Sequence, residues 1–160
     1  MNSDDLDSKM FQDKVILIEN GEDIQEITIP PRHVSIDESC IDADLCSMGR
    51  FLLYYGEVET VLRLEVERKQ AELKRLEADL DVTLRADAKN NNEKLTEAML
   101  ASKIVLDARR QGLVSGLLKS QKNHNLARWL INALNAKKEC LIAISYRENQ
   151  IIKADRYASN

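Results

Sequence analysis

Between Asp42 and Ala88 no proline interrupts a run in which Leu45, Met48, Leu52, Tyr55, Leu62, Val66, Leu73, Leu76 and Leu80 recur at alternating steps of three and four residues. That spacing keeps apolar side chains along one side of an α-helix and marks a coiled-coil seam. At 1.5 Å per residue such a helix would be roughly 70 Å long. Alone, it has nothing against which to bury its stripe. Glu59, Lys69, Thr83 and Asp87 fall on the remaining seam positions, so the covering surface must pair them or leave them near water.

The covering surface is expected from the second half of the chain. Lys89-Asn90-Asn91-Asn92-Glu93 reads as a polar turn. Thr96 and Glu97 supply a hydroxyl N-cap and a first-turn acid for a helix reaching about Asp107, with a bend expected at Gly112 and Gly116. From Ala127 the periodicity returns at Leu130, Leu134, Leu141, Ile144 and Ile151, widened by Ile131 and Ile142, with Lys137 and Glu148 as its polar members. This arm runs to about Arg156. Two arms joined by a short turn form an antiparallel helical hairpin over 42–156. Its stripes exceed what one two-helix contact covers, so a homo-oligomer, a bundle or a ring, is expected, with Leu62, Val66, Leu73, Leu76, Leu130, Leu134 and Leu141 at the interface between copies.

Ahead of the first arm, residues 1–13 are acidic and polar and read as a flexible tail. Lys14 to Ile18 is rich in β-branched residues, Asn20-Gly21 is a two-residue turn signal, and Ile24, Ile27 and Ile29 can pair back. A β-hairpin with a linker therefore occupies 14–41, and Pro30-Pro31 ends its second strand. Residues 157–160 read as a short tail. The fold class is mainly α, a long coiled-coil-like hairpin carrying a small N-terminal β-hairpin. The low aromatic share, 4%, fits a narrow helical core.

The formal net charge of −4 conceals a segregation. Residues 1–48 carry twelve acidic and three basic side chains, whereas residues 94–160 carry five acidic and twelve basic. A basic arm points to an anionic partner, with nucleic acid the usual one; the alternative is that acidic head and basic arm neutralise each other between copies. Lys119, Lys122, Arg128, Lys137, Lys138 and Arg147 are the arm's candidate phosphate contacts. Arg128-Trp129, Tyr146-Arg147 and Arg156-Tyr157 set rings beside guanidinium groups, the combination that binds single strands. Trp129 has two readings, base stacking or burial at a helix interface; for Tyr146, inside an apolar run, burial is favoured. The polar heptad Lys119 to Asn125 reads as a wet section of a bundle, a helix break or a contact surface.

Catalytic motifs are lacking: there is no Gly-rich phosphate loop, HExxH or GxSxG, and the chain does not read as an enzyme. Glu65 with Lys69 and Glu72 with Arg75 stand at charge-pair spacing, as on solvated helix faces. Cys40, Cys46 and Cys140 form no zinc-type spacing, so no metal or other cofactor is expected. Their odd number, without a signal peptide, reads as a reduced, cytoplasmic protein. Apolar runs are too short for a membrane span.

The first long helix ending near Arg85, the polar turn, K-L-T-E-A (Lys94 to Ala98), Asp107, A-L-N-A-K-K (Ala133 to Lys138) and the late Arg147 together resemble the UvsY-type recombination mediators of tailed phages and prophages. The likeness covers roughly Asp42 to Arg156. It implies a ring-forming helical protein that binds single-stranded DNA, contacts a RecA-like recombinase and a single-stranded-DNA-binding protein, and helps the recombinase replace the latter. It also implies DNA contact by Arg85; Lys89 and Lys94, around the same turn, are further candidate nucleic-acid contacts. A second basic position of the family falls near Thr83, which is not basic, and the hairpin over Lys14 to Ile29 lies outside the family pattern. The readings from other classes are a coiled-coil structural or adaptor protein and, third, a regulator whose acidic head mimics DNA.

Overall fold

A computed structural model of the protein describes residues 14–20 and 23–158. The expected acidic tail, 1–13, lies outside the described residues. Strands β1 (Lys14–Asn20) and β2 (Asp23–Ile29) lead through two short 3-10 turns, Pro31–His33 and Glu38–Cys40, to helices α1 (Ile41–Asn90), α2 (Glu97–Leu106) and α3 (Ala108–Ala158). The mainly α class with one small antiparallel hairpin is thus as the sequence indicates. Two compact units divide the chain: one holds residues up to Glu59 together with 125 onward, the other Thr60–His124.

In the first unit β1 and β2 pair antiparallel, with Ile16 opposite Ile27 and Lys14 opposite Ile29. Period-two alternation buries Ile16, Ile27 and Ile29 and turns Val15, Glu26 and Thr28 outward. Asn20 pairs with Asp23, so Asn20 belongs to the strand and not to the turn; Gly21 lies outside the described residues. Ile41, Met48, Tyr55, Val58, Ala127, Leu130, Leu134 and Leu141 complete this unit's core.

The linker after β2 is fastened by two polar contacts. Lys137, its side chain only 1% exposed, puts Nζ 2.6 Å from Asp44 Oδ2 and donates to the Arg32 carbonyl at 3.2 Å. The His33 ring stacks on Phe51 at 4.2 Å, and its Nδ1 hydrogen-bonds the Tyr55 hydroxyl at 2.9 Å. Burial, then the neighbouring charges of Arg32 and Lys137, push the His33 pKa below its usual 6.5, and burial raises that of Tyr55. A histidine whose folded pKa is lowered binds fewer protons than in the unfolded chain. Its stabilising share is therefore complete above pH 6.5 and lost as pH falls through the lowered value. Thermal midpoints measured across that window should fall more steeply for the native protein than for His33→Asn; parallel curves would show that His33 does not titrate in this way.

The second unit is an antiparallel helix pair capped by α2: Glu65 of α1 meets Ser120 of α3, and Glu77, further along α1, meets Arg110, earlier in α3. α1 ends in a Schellman motif. Asn92 takes φ 51°, Glu93 N donates to the Ala88 carbonyl and Asn92 N to that of Lys89. Thr96 caps α2 as expected, accepting from Met99 N. The break before α3 falls at Asp107 rather than at Gly112 or Gly116. Asp107 leaves helical geometry at ψ 126°, and its Oδ1 accepts from the backbone N–H groups of Arg109 and Arg110, so one side chain ends α2 and caps α3. The hydrogen bond from the Arg109 side chain is the main reason that its carboxyl titrates below the usual range.

Both glycines stay helical, and so does Lys119 to Asn125. The polar heptad contains part of a buried cluster. Ser120 donates to Glu65 Oε1 at 2.7 Å and accepts from Lys69 Nζ at 2.8 Å, while Lys69 and Glu65 pair at 2.8 Å. Glu65 and Lys69 are therefore not a solvated surface pair, and Glu72 pairs with Arg68 rather than Arg75. Closing all three groups on one another avoids the cost of an uncompensated buried charge.

The expected seam of α1 is buried in its middle and drifts at its end: Thr83 and Asp87 are exposed, while Leu84 is half-buried and Ala88 buried. An α-helix of 3.6 residues per turn falls behind a 3.5-residue pattern, so steps of four restore contact. Leu62, Val66, Leu130, Leu134 and Leu141 are buried, and Leu73 and Leu76 half-buried, within the single chain. The expectation that Leu62, Val66, Leu130, Leu134 and Leu141 form the interface between copies is corrected accordingly, since the chain buries them itself, while Leu73 and Leu76 keep part of their surface open.

Candidate functional site

In the first unit, α3 carries Arg128, Trp129, Tyr146 and Arg147 on its outer surface; Trp129 is 46% and Tyr146 66% exposed. Eighteen residues are five whole turns at 3.6 residues per turn, so Trp129 and Arg147 stand in one row, Arg128 and Tyr146 in the next. The two ends lie about 27 Å apart at 1.5 Å per residue. Ala136, Cys140 and Ala143 occupy the first row between them and are exposed; Ile142 and Glu139 occupy the second. Each end of the strip thus offers one ring and one guanidinium to solvent. Phosphates can meet the cations while a base lies on a ring.

The sequence leaves Trp129 open between stacking and burial and favours burial for Tyr146, yet both side chains are exposed. Tyr146 was misread because an apolar neighbourhood does not reveal which azimuth faces the partner helix. The signal that could have found the strip is its 18-residue spacing, which pairs Arg-Trp with Tyr-Arg on the same side.

The other candidate cations differ in availability. Lys137 is a correction: its ammonium is buried against Asp44 and the Arg32 carbonyl, so it does not present a charge to a ligand. Lys138 is half-buried. In the second unit Lys89, Lys94, Lys119 and Lys122 are exposed. Arg85 is half-exposed and heavily engaged: Nη1 and Nη2 fork onto Glu97 at 2.9 and 2.8 Å, and Nε donates to Asp81 at 3.0 Å. Hydrogen bonding to Glu97 first, then Asp81, raises the Arg85 pKa further, and the Arg85 hydrogen bond depresses that of Glu97. Arg85, Lys89, Glu93, Thr96 and Glu97 line a shallow cleft of about 290 Å³ at the end of α1. A nucleic acid reaching Arg85 must compete with two carboxylates.

Among the described residues no group of His, Cys, Asp and Glu side chains could hold a metal ion, and the three cysteines are free and exposed. Among the described residues, no helix is long and apolar enough to cross a membrane. Comparison of the chain with protein-family models, with curated proteins and with solved structures finds no match.

Proposed function

We propose that the chain is a non-catalytic accessory protein of homologous recombination that binds single-stranded DNA and helps load a RecA-like recombinase. The exposed strip of α3 carries this reading, because a helix core has no use for Trp129 and Tyr146 turned outward beside Arg128 and Arg147. The surplus of cations over residues 94–160 supports it, as does the resemblance to UvsY-type mediators. By that resemblance its partners are the recombinase, a single-stranded-DNA-binding protein and further copies of itself. Its setting is the cytoplasm, that of the host if the protein is phage-encoded.

A salt titration of binding to labelled single strands tests the reading. Arg128→Ala and Arg147→Ala should each reduce the slope of log affinity against log salt by about 0.7, the share of one phosphate contact on a single strand. Trp129→Ala should cost about 1–3 kcal/mol of binding with the slope unchanged, because stacking releases no counterions. Binding that ignores salt, or no binding at low ionic strength, would favour the structural adaptor instead.

A further inference from the structure

With the main seam covered inside the chain, a second seam on α1 stands exposed in the Thr60–His124 unit. Val61, Leu64, Ala71, Ala78 and Val82 recur at steps of three, seven, seven and four, and Arg68 and Arg75 occupy the two intervening positions of the same heptad pattern. Val61 is 42%, Leu64 53% and Val82 68% exposed. At 100° per residue this row lies roughly 170° around the helix from the buried row of Leu62, Val66, Leu73 and Leu80.

The side chains of the row select its occupant. Two copies aligned parallel and in register would stack Arg68 on Arg68 and Arg75 on Arg75, and would set Glu67 beside Glu72. Turned antiparallel about a point between Lys69 and Gln70, each copy sets Arg68 against Ala71 and Val61 against Ala78 of the other. The Arg75 stem then lies on Leu64 with its charged head at the rim. The same alignment brings Glu67 of each copy to Lys74 of the other, two opposite-charge pairs across the two-fold axis. Sliding the copies by one heptad instead opposes Lys74 to Lys74 and Glu67 to Asp81. Size and charge therefore agree on one isologous arrangement.

We propose that this outer face of α1, from Val61 to Ala78, docks antiparallel on the same face of a second copy of the chain. The contact needs no nucleic acid and is independent of the DNA reading.

Its test uses the full chain with Cys40, Cys46 and Cys140 replaced by Ser, all three being exposed and unpaired with one another. Sedimentation equilibrium should show self-association that Glu67→Lys weakens roughly tenfold or more and that Glu67→Lys combined with Lys74→Glu restores. Mixed under oxidation, Val61→Cys chains should cross-link to Ala78→Cys chains and not to themselves. Leu64→Asp should abolish the contact with the helical signal intact, since Leu64 is already half in solvent. Self-cross-linking of Val61→Cys, failure of the charge swap to restore association, or a monomer at tens of micromolar in the parent would each overturn the proposal.

Discussion

Asp44→Asn should lower the unfolding free energy by about 3–5 kcal/mol, the cost of leaving a buried charge without its counter-charge. Lys137 cannot reach solvent to recover the loss, because its side chain is 1% exposed and its remaining partner in the cluster, the Arg32 carbonyl, is neutral. The asparagine keeps the shape and removes the charge, so packing changes little. Replacing both partners at once, Asp44→Leu with Lys137→Met, should recover most of the stability, since paired removal of buried charges is often neutral or better. Denaturant unfolding of the single and double variants provides the comparison. An Asp44→Asn midpoint equal to that of the native protein would mean that the ammonium is solvated or held by another group. The linker between β2 and α1 should loosen along with this pair, because Lys137 holds both the backbone of Arg32 and the first turns of α1.

The second large effect separates core from surface on one helix. Leu134→Ala should cost about 2–5 kcal/mol of stability, as removal of a fully buried leucine leaves both lost transfer energy and a cavity. Trp129→Ala, five positions earlier and half in solvent, should cost far less in stability, on the order of 1 kcal/mol or below, despite deleting a larger side chain. Equilibrium unfolding of both variants measures the difference. If Trp129→Ala proved the more damaging in a monomeric state, the tryptophan would be a core residue and the strip would lose one end. The contrast also protects the DNA experiment, since a binding defect in a stable Trp129→Ala protein cannot be ascribed to unfolding.

Self-docking through the outer row of α1 would add a stability term that depends on concentration. Unfolding of either variant is therefore best compared at equal protein concentration, or in the Leu64→Asp background that removes the contact.

Local rules carried much of the structure. The three-four spacing of Leu62, Val66 and Leu80 specified a helix and the face it buries, because side-chain period is a property of the backbone alone. Asn92 and Thr96 marked a turn and a helix start for reasons confined to a few bonds. The hairpin followed from β-branched alternation, while pairing register put Asn20 in the strand opposite Asp23. The exposed strip was half legible: its arginines and rings were visible, their common face was not.

Period names a face without naming its partner, and so the sequence by itself determined the helices, their apolar sides, the hairpin and the segregation of charge. Only the tertiary structure decided that the main seam closes within the chain rather than between copies. It also decided that Asp107, not a glycine, divides the second arm, and that Lys137, Glu65 and Lys69 turn inward while Trp129 and Tyr146 turn outward. The reason is physical. A charged side chain is buried or solvated according to whether a counter-group arrives from a distant segment, as Ser120 does at Glu65 from 55 residues away, and nothing in local composition encodes that arrival.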